Sequence, residues 1–383
     1  MKTLTTVRLA SLGQVVTGST PPAAHPDWFA PSGVPFVTPS DLAGGRRRVD
    51  TARFLSDAGV AAMKKRIVPA NAVCFVSIGS TIGKMCAPSV PSVTNQQINS
   101  LVVDPSIADP TYIYYALSQK SQDLKNIAGG SATPILNKSA FAAVELDVLP
   151  LEDQRAIAAT LGALDDKIES NRRITELIPR LVRAHVNSAM SHSSNLTSVS
   201  DLANFVNGGA YTKSATGTGR MVIRIAELNS GPGGSTVYND IEVPDEKTAR
   251  AGDILMSWSG SLGVYRWYRD EAIINQHIFK VSPTGYPAWL VFDRLDEVMS
   301  VFRGVAADKA TTMGHIQRGH LISTNVEIPT QGALEELETK ISPLWDRLLL
   351  AERENLDLER LRDALLPELL SGRIHVTAEG AEA

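Results

Sequence analysis

Two stretches of the chain carry apolar residues at alternating steps of four and three. The first runs Ile157, Leu161, Leu164, Ile168, Asn171, Thr175, Ile178 and Val182. The second runs Leu334, Leu337, Ile341, Leu344, Leu348, Ala351, Asn355, Leu358, Arg362, Leu365 and Leu369. That spacing holds one helix face apolar along its length, which predicts a coiled-coil seam. Pro179 and Pro343 fall inside the two patterns and predict a kink or a boundary there. Ahead of each helix the pattern changes to short β-branched runs bounded by Gly, Pro, Ser or Asp, which predict strands at 34–38, 72–78, 93–103 and 142–149, and again at 221–225, 253–258, 272–281 and 325–328. Apolar residues at helical spacing predict helices at 111–125, just after Asp109-Pro110, and at 289–302.

The second half repeats the first at an offset near 180 residues. Ser77, Gly79, Gly83, Asn95, Gln96 and Ile98 face Ser257, Ser259, Gly263, Asn275, Gln276 and Ile278, and Leu161, Leu164 and Ile168 face Ile341, Leu344 and Leu348. A period this long means two tandem domains rather than a solenoid. The expected architecture is α+β: a head with mixed sheets at 1–150, a helical spacer at 151–195, a second such head at 196–330, a second helical spacer at 331–375 and a tail at 376–383, with the two long helices paired as an antiparallel coiled coil. Paired in that way, the repeats form a pseudo-dimer. The stretch from Ile157 to Val182 spans roughly 40 Å at about 1.5 Å per residue, close to the ~34–36 Å that separates half-sites in twofold readers of duplex DNA.

Composition narrows the function. With 383 residues and 43% hydrophobic content the chain can build real cores. It has no apolar run of about 18 residues, and its first ten residues lack the apolar centre of a signal peptide, so a cytoplasmic protein with no membrane partner is expected. Cys74 and Cys86 are the only cysteines, and no His/Cys cluster has zinc spacing; buried free thiols are expected. The net charge of −4 hides an uneven distribution: residues 1–150 carry +4, 151–195 carry 0, 196–330 carry −2 and 331–383 carry −6. A head can therefore still present a basic face to phosphate.

The chemical motifs support binding over catalysis. The run from Gly79 to Lys84 has three residues between its glycines, and Met85 follows the lysine, so it reads as a tight turn rather than a phosphate loop. The chain contains no Asn-Pro-Pro-aromatic or Asp-Pro-Pro-aromatic tetrapeptide, and its histidines are scattered without a nucleophile constellation. Arg46, Arg47 and Arg48 follow Gly44-Gly45, with Lys64, Lys65 and Arg66 downstream. The segment from Gly18 to Ser77 is ten residues longer than its counterpart from Gly208 to Ser257, and the extra length brackets this basic loop, an expected phosphate contact. Lys84, Lys138, Arg266 and Arg269 are further basic candidates. His315, Gln317 and Arg318 lie before the last strand of the second head, where Gln and Arg suit bidentate base contacts. Asn95-Gln96 and Asn275-Gln276 occur in both copies; heads that read different sequences should differ where they read, so the shared pairs are expected to be structural.

The segment from Leu149 to Ala158, with Leu164-Asp165-Asp166-Lys167-Ile168 and Asn171-Arg172-Arg173-Ile174, closely resembles the central helical region of specificity subunits of type I restriction–modification systems. The run from Leu365 to Ile374 resembles the close of their second helical region. Gly18-Ser19-Thr20-Pro21, the run from Pro35 to Leu42, that from Gly79 to Lys84 and Thr94-Asn95-Gln96-Gln97 resemble their target-recognition domains. The resemblance covers nearly the whole chain. The second head departs from it at Gly208-Gly209-Ala210-Tyr211 and at Ile225-Ala226-Glu227-Leu228. The resemblance implies a non-catalytic subunit without a cofactor of its own, whose two target-recognition domains each read half of a bipartite site in double-stranded DNA. It implies as partners two modification subunits and, in the full complex, restriction subunits, with S-adenosylmethionine and ATP bound by those partners. The rival readings are a self-sufficient methyltransferase and a coiled-coil adaptor that binds only protein.

Overall fold

The computed structural model describes residues 3–42, 46–128, 135–191, 193–213, 215–308 and 315–376. Gly44, Gly45, Thr133, Thr312, Met313, Gly314 and the tail beyond 376 lie outside the described residues. The chain divides into two compact units, residues 1–167 with 359–383, and residues 168–358.

In the first unit, strands Gly13–Thr17, Ile98–Val103, Val73–Val76 and Met85–Cys86 form an antiparallel sheet in that order. A second sheet orders Phe29–Ala30, Phe54–Leu55, Val34–Val37, Ser92–Thr94 and Ile67–Val68, with Val34–Val37 and Ser92–Thr94 parallel. The predicted strand at 93–103 is thus two strands in different sheets. Helix Pro110–Gln119 starts at Asp109, whose carboxylate accepts the N–H groups of Thr111 and Tyr112 at 2.9 Å. It buries Tyr112, Ile113, Tyr115 and Leu117 and ends at Lys120, before helix Ser121–Ala128. Strand Glu145–Val148 pairs with Thr5–Arg8 and leads into the first long helix, Leu151–Met190.

The second unit repeats these parts. Strands Ala203–Asn207, Ile278–Pro283, Ile254–Ser257 and Gly263–Arg266 form its antiparallel sheet, and Val237–Asn239, Arg220–Ile223, Ala272–Ile274 and Thr248–Ala249 form the other, with Arg220–Ile223 and Ala272–Ile274 parallel. Helix Ala288–Asp308 is longer than the predicted 289–302. Strand Asn325–Pro329 pairs with Ser194–Ser198 and leads into the second long helix, Gln331–Leu370.

Each unit contains a piece of both long helices. In the first, Ile157, Ala158, Leu161 and the partly buried Leu164 join Leu365, Leu366 and Leu369 in the core, and Arg362 donates to Asp165 at 2.8 Å. In the second, Ile178 and Val182 join Leu334, Leu337, Ile341, Trp345 and Leu348, with Leu344 packed beside them. Asn171, fully buried, donates to Glu354 at 2.8 Å and accepts from Arg347 at 3.3 Å. Residue 171 lies by 354 while 179–182 lie by 345, so the helices run antiparallel. A buried asparagine in an apolar seam is a register device. Ile168 is buried and Leu358 half-buried, as the spacing predicts.

Pro179 and Pro343 do not end their helices, both of which run 40 residues without interruption. A proline removes one backbone hydrogen bond and crowds the preceding turn. Here Pro179 lies with Val182, Trp289 and Trp345 around a cleft, and tertiary packing outweighs the local preference.

Candidate nucleic-acid interface

The Asn-Gln pair marks the place where each head passes from one sheet to the other. In the first head Asn95 is buried; its Oδ1 accepts the N–H of Gln97 and its Nδ2 donates to the Gln97 side chain, both at 3.0 Å, while Gln96 faces solvent. Asn275 is likewise buried and Gln276 exposed. The asparagines therefore build the crossing, and the glutamines stand at the surface.

The turn that the sequence shows only in the first head is present in both. Asp41 accepts the N–H of Thr38 at 2.7 Å, and Glu227 accepts that of Arg224 at 2.9 Å, the same three-residue return made by a longer carboxylate. Ile225-Ala226-Glu227-Leu228 thus keeps the geometry without the motif.

The basic candidates separate into internal and external groups. Arg47 is only 5% exposed; its Nη2 donates to Asp166 at 2.7 Å, and its Nε lies 3.5 Å from Asp165. Asp165 also accepts Arg362 and, at 2.6 Å, the Tyr115 hydroxyl. Burial and then the charge of Asp165 push Tyr115 far above its ordinary value, which keeps it a protonated donor. Arg48 donates to Asn71 at 2.7 Å and to the Ala87 carbonyl, and burial followed by Arg47 holds its guanidinium below the usual value. The expectation of a phosphate-binding Arg46-Arg47-Arg48 loop is therefore corrected at Arg47 and Arg48, which point into the protein toward the Asp165 and Asp166 carboxylates, the Asn71 amide oxygen and the Ala87 carbonyl of the first unit. Arg46 is half-buried and makes contacts of its own.

Arg266 requires the same correction. It is 7% exposed, donates through Nε and Nη2 to Glu352 at 3.0 and 2.6 Å and through Nη1 to the Trp345 carbonyl at 3.0 Å, and lies 4.5 Å over the Trp345 ring. Burial outweighs the attraction of Arg266 and pushes the Glu352 carboxyl up to about 7.

The remaining candidates are outside. Lys64, Lys65 and Arg66 are exposed on one short turn, and Arg66 also donates to the Thr17 carbonyl at 2.9 Å. Lys84 and Lys138 are exposed, Lys138 opening the short helix Lys138–Ala142. Arg269 is half-buried and lies 5.2 Å over the Tyr268 ring. His315, Gln317 and Arg318 are exposed together, with Gln317 at the start of helix Arg318–Ser323 and Arg318 donating to the Phe205 carbonyl at 3.2 Å. Asp165, Asp166 and Glu352, on which the internal arginines depend, cannot be recognised as partners from the sequence because they lie 86 to 119 residues away along the chain. Among the described residues no group of three or more His, Cys, Asp or Glu side chains could hold a metal ion, and no helix is long and apolar enough to cross a membrane. Cys74 and Cys86 are buried and free, opposite each other on neighbouring strands.

A family model described as the type I restriction modification DNA specificity domain matches residues 1–180. The specificity subunit of the type I restriction enzyme MjaIX from Methanocaldococcus jannaschii is 23% identical over 96% of this chain and 93% of its own length. That of the type I restriction enzyme HindI from Haemophilus influenzae is 32% identical over 46% of this chain and 40% of its own. Among solved structures, the S subunit of a type I restriction–modification system from M. genitalium matches with a TM-score of 0.66 at 14% identity, covering 96% of each chain; the likeness is one of fold.

Proposed function

This chain belongs to the specificity-subunit family of type I restriction–modification systems, and from that premise we propose how its two heads divide the work of DNA recognition. It is a non-catalytic subunit that recognises a DNA target; neither rival, the lone methyltransferase or the protein-only adaptor, is favoured. Residues 1–150 and 196–330 are the two target-recognition domains, 151–195 and 331–375 the helical spacers, and 376–383 a tail. Each head reads one half of a bipartite duplex site, and the helices fix the length of the unread spacer. The observation that carries this reading is the repeat itself, two heads whose antiparallel sheets share one strand order and which share the same Asn-Gln crossing, each followed by a 40-residue helix.

Lys64, Lys65, Arg66, Lys84, Lys138 and Arg269 contact phosphate, and His315, Gln317 and Arg318 contact bases. Arg46 remains a candidate at the edge of this set. The partners are double-stranded DNA, two modification subunits that hold S-adenosylmethionine and, in the complete assembly, restriction subunits that hold ATP. The site of action is the cytoplasm.

Selection of sites from a randomised duplex library by the complex with its modification subunit tests the reading. Two short motifs at one fixed separation are expected, while the purified chain alone transfers no methyl group. Insertion of one heptad after Ser170 and another after Leu350 adds about 10 Å of helix at about 1.5 Å per residue, and the selected spacer should lengthen by roughly three base pairs with both motifs kept. An active variant that retains the original spacer would show that the helices do not set it.

A further inference from the structure

If the two heads read different sequences, their reading residues should occupy equivalent places in the fold and differ in kind. The backbone hydrogen bonds identify such a place. Ile78 bridges Ile135 in the first head, and Ser259 bridges His315 in the second. The N–H of Leu136 donates to the Ser77 carbonyl at 2.8 Å, and that of Ile316 to the Trp258 carbonyl at 3.0 Å. Trp258 therefore corresponds to Ser77 and Ser259 to Ile78. The preceding strand shares this slip, since Val76 and Ser257 are the residues that pair with Ile98 and Ile278. The expected match of Ser77 with Ser257 is thus corrected by one position, which places unlike residues at one surface.

In the second head, the Trp258 ring lies 5.5 Å from that of His277 and 6.4 Å from that of His315. Ser259 Oγ and His277 Nδ1 are 3.0 Å apart, and Gln276 Nε2 and His277 Nε2 are 3.2 Å apart. Gln276, His315 and Gln317 are exposed around this aromatic centre. In the first head the corresponding positions hold Ser77 and Ile78, Gln96 and Gln97, and Ile135, which is 53% exposed although its backbone is paired. The residue beneath differs to match: Asn99 donates to Ser77 Oγ at 2.9 Å in the first head, whereas Phe279 packs on Trp258 at 6.0 Å in the second.

Exposed cations stand beside both surfaces. Lys138, three residues after Ile135, does so in the first head, and Arg318, next to Gln317, does so in the second. Phosphate contacts position a reader while base edges specify the sequence, so a surface that is variable between copies and flanked by cations has the composition of a readout surface.

Resting on the DNA-recognition reading above, we propose that the surface around Trp258, with His277, His315 and Gln317, is the base-reading surface of the second head, and that the equivalent surface with Gln97 and Ile135 reads the other half-site. Glutamine pairs with the N6/N7 edge of adenine, and an exposed aliphatic side chain suits the thymine methyl group. The second surface adds two imidazoles, which can accept or donate at a base edge. The first half-site should accordingly contain adenine or thymine at positions where the second has a different base.

The test uses the complex of this chain with its modification subunit and the same randomised duplex library, comparing wild type with Gln317→Ala, His315→Ala, His277→Gln and Ile135→Asn. The first three should each lower discrimination at one or two base positions of one half-site by roughly ten- to a hundredfold, and Ile135→Asn should do so in the other half-site only. Gln317, His315 and Ile135 are surface residues, so these variants should retain the wild-type melting temperature. Folded variants that select the wild-type motif in both halves would overturn the proposal, as would an equal fall in affinity for all sequences with the motif kept. If the wild-type complex selects no motif at all, the recognition reading itself fails, and the variants are not needed to show it.

Discussion

The first head reaches the helical seam through Arg47, which leaves a loop beside Ala87; the second does so through Arg266, which occupies a strand end. The strand pairings set Cys86 opposite Cys74 and Tyr265 opposite Leu255, so Ala87 and Arg266 hold equivalent places. The Arg47 carbonyl accepts the Ala87 N–H at 2.7 Å, which brings both guanidinium groups to the same part of their heads from unrelated positions in sequence. Their partners differ. Arg47 shares Asp165 with Arg362 and Tyr115, and its other acceptor, Asp166, has a side chain 62% exposed. Arg266 instead directs two donors at the single carboxylate of Glu352, and Trp345 stands where the first unit has Asp165. One attachment spreads its charge over several groups, and the other concentrates it in a single pair. The two heads have in common the location of a buried cation and not the residue that provides it.

The contrast is broken most directly by deletion. Arg266→Ala leaves Glu352 buried without its cation and removes the stacking on Trp345, and should cost about 3–5 kcal/mol. Arg47→Ala leaves Asp165 with two donors and Asp166 near water, and should cost about 1–3 kcal/mol. Urea unfolding gives the comparison, and four of the five tryptophans, Trp258, Trp267, Trp289 and Trp345, report on the second unit. Equal costs would mean that the polar cluster around Asp165 does not share its load. The pH dependence of the second attachment has a definite sign. Because Glu352 lies at about 7 in the folded protein, above the ordinary carboxylate value, the folded state holds a proton that the unfolded chain has released. The stabilisation is present at low pH and is lost as pH rises through about 7, with a slope approaching about 1.4 kcal/mol per pH unit between those values. Glu352→Gln should flatten that slope in a series of melts from pH 5 to 8. The smallest effect concerns the exterior. Lys64→Ala with Lys65→Ala should leave stability unchanged and reduce the salt dependence of duplex binding by up to about 0.9 in log–log slope for each phosphate no longer neutralised. An unaltered slope assigns both lysines to solvent.

The seam, the repeat and most strands are legible because they depend on periodicity, which local sequence carries. The sheet crossing is only half legible: residues 93–103 form a continuous apolar run, and its division at Asn95 depends on side-chain hydrogen bonds to Gln97 rather than on any drop in hydrophobicity. The direction of Arg47 is not legible at all. Three consecutive arginines after two glycines describe a solvated loop, and what turns one of them inward is a pair of carboxylates 118 and 119 positions away. The surface around Trp258 is hidden by the fixed offset of 180, which aligns Trp258 with Ile78 rather than Ser77. Its true place depends on a one-residue slip in strand Val73–Val76 and on a longer hairpin between Cys74 and Cys86 than between Leu255 and Tyr265, neither of which alters the apolar pattern.

Residues 168–358 form one compact unit that is continuous in sequence, whereas the other unit needs both residues 1–167 and residues 359–383. During synthesis the first head therefore emerges with the apolar faces of Ile157 and Leu161 lacking their cover, since Leu366 and Leu369 are made some two hundred residues later. The second unit can complete its core before the first does, which reverses the usual N-terminal-first order of domain folding. Truncation ahead of Leu365 should accordingly injure the part of the protein that was translated first.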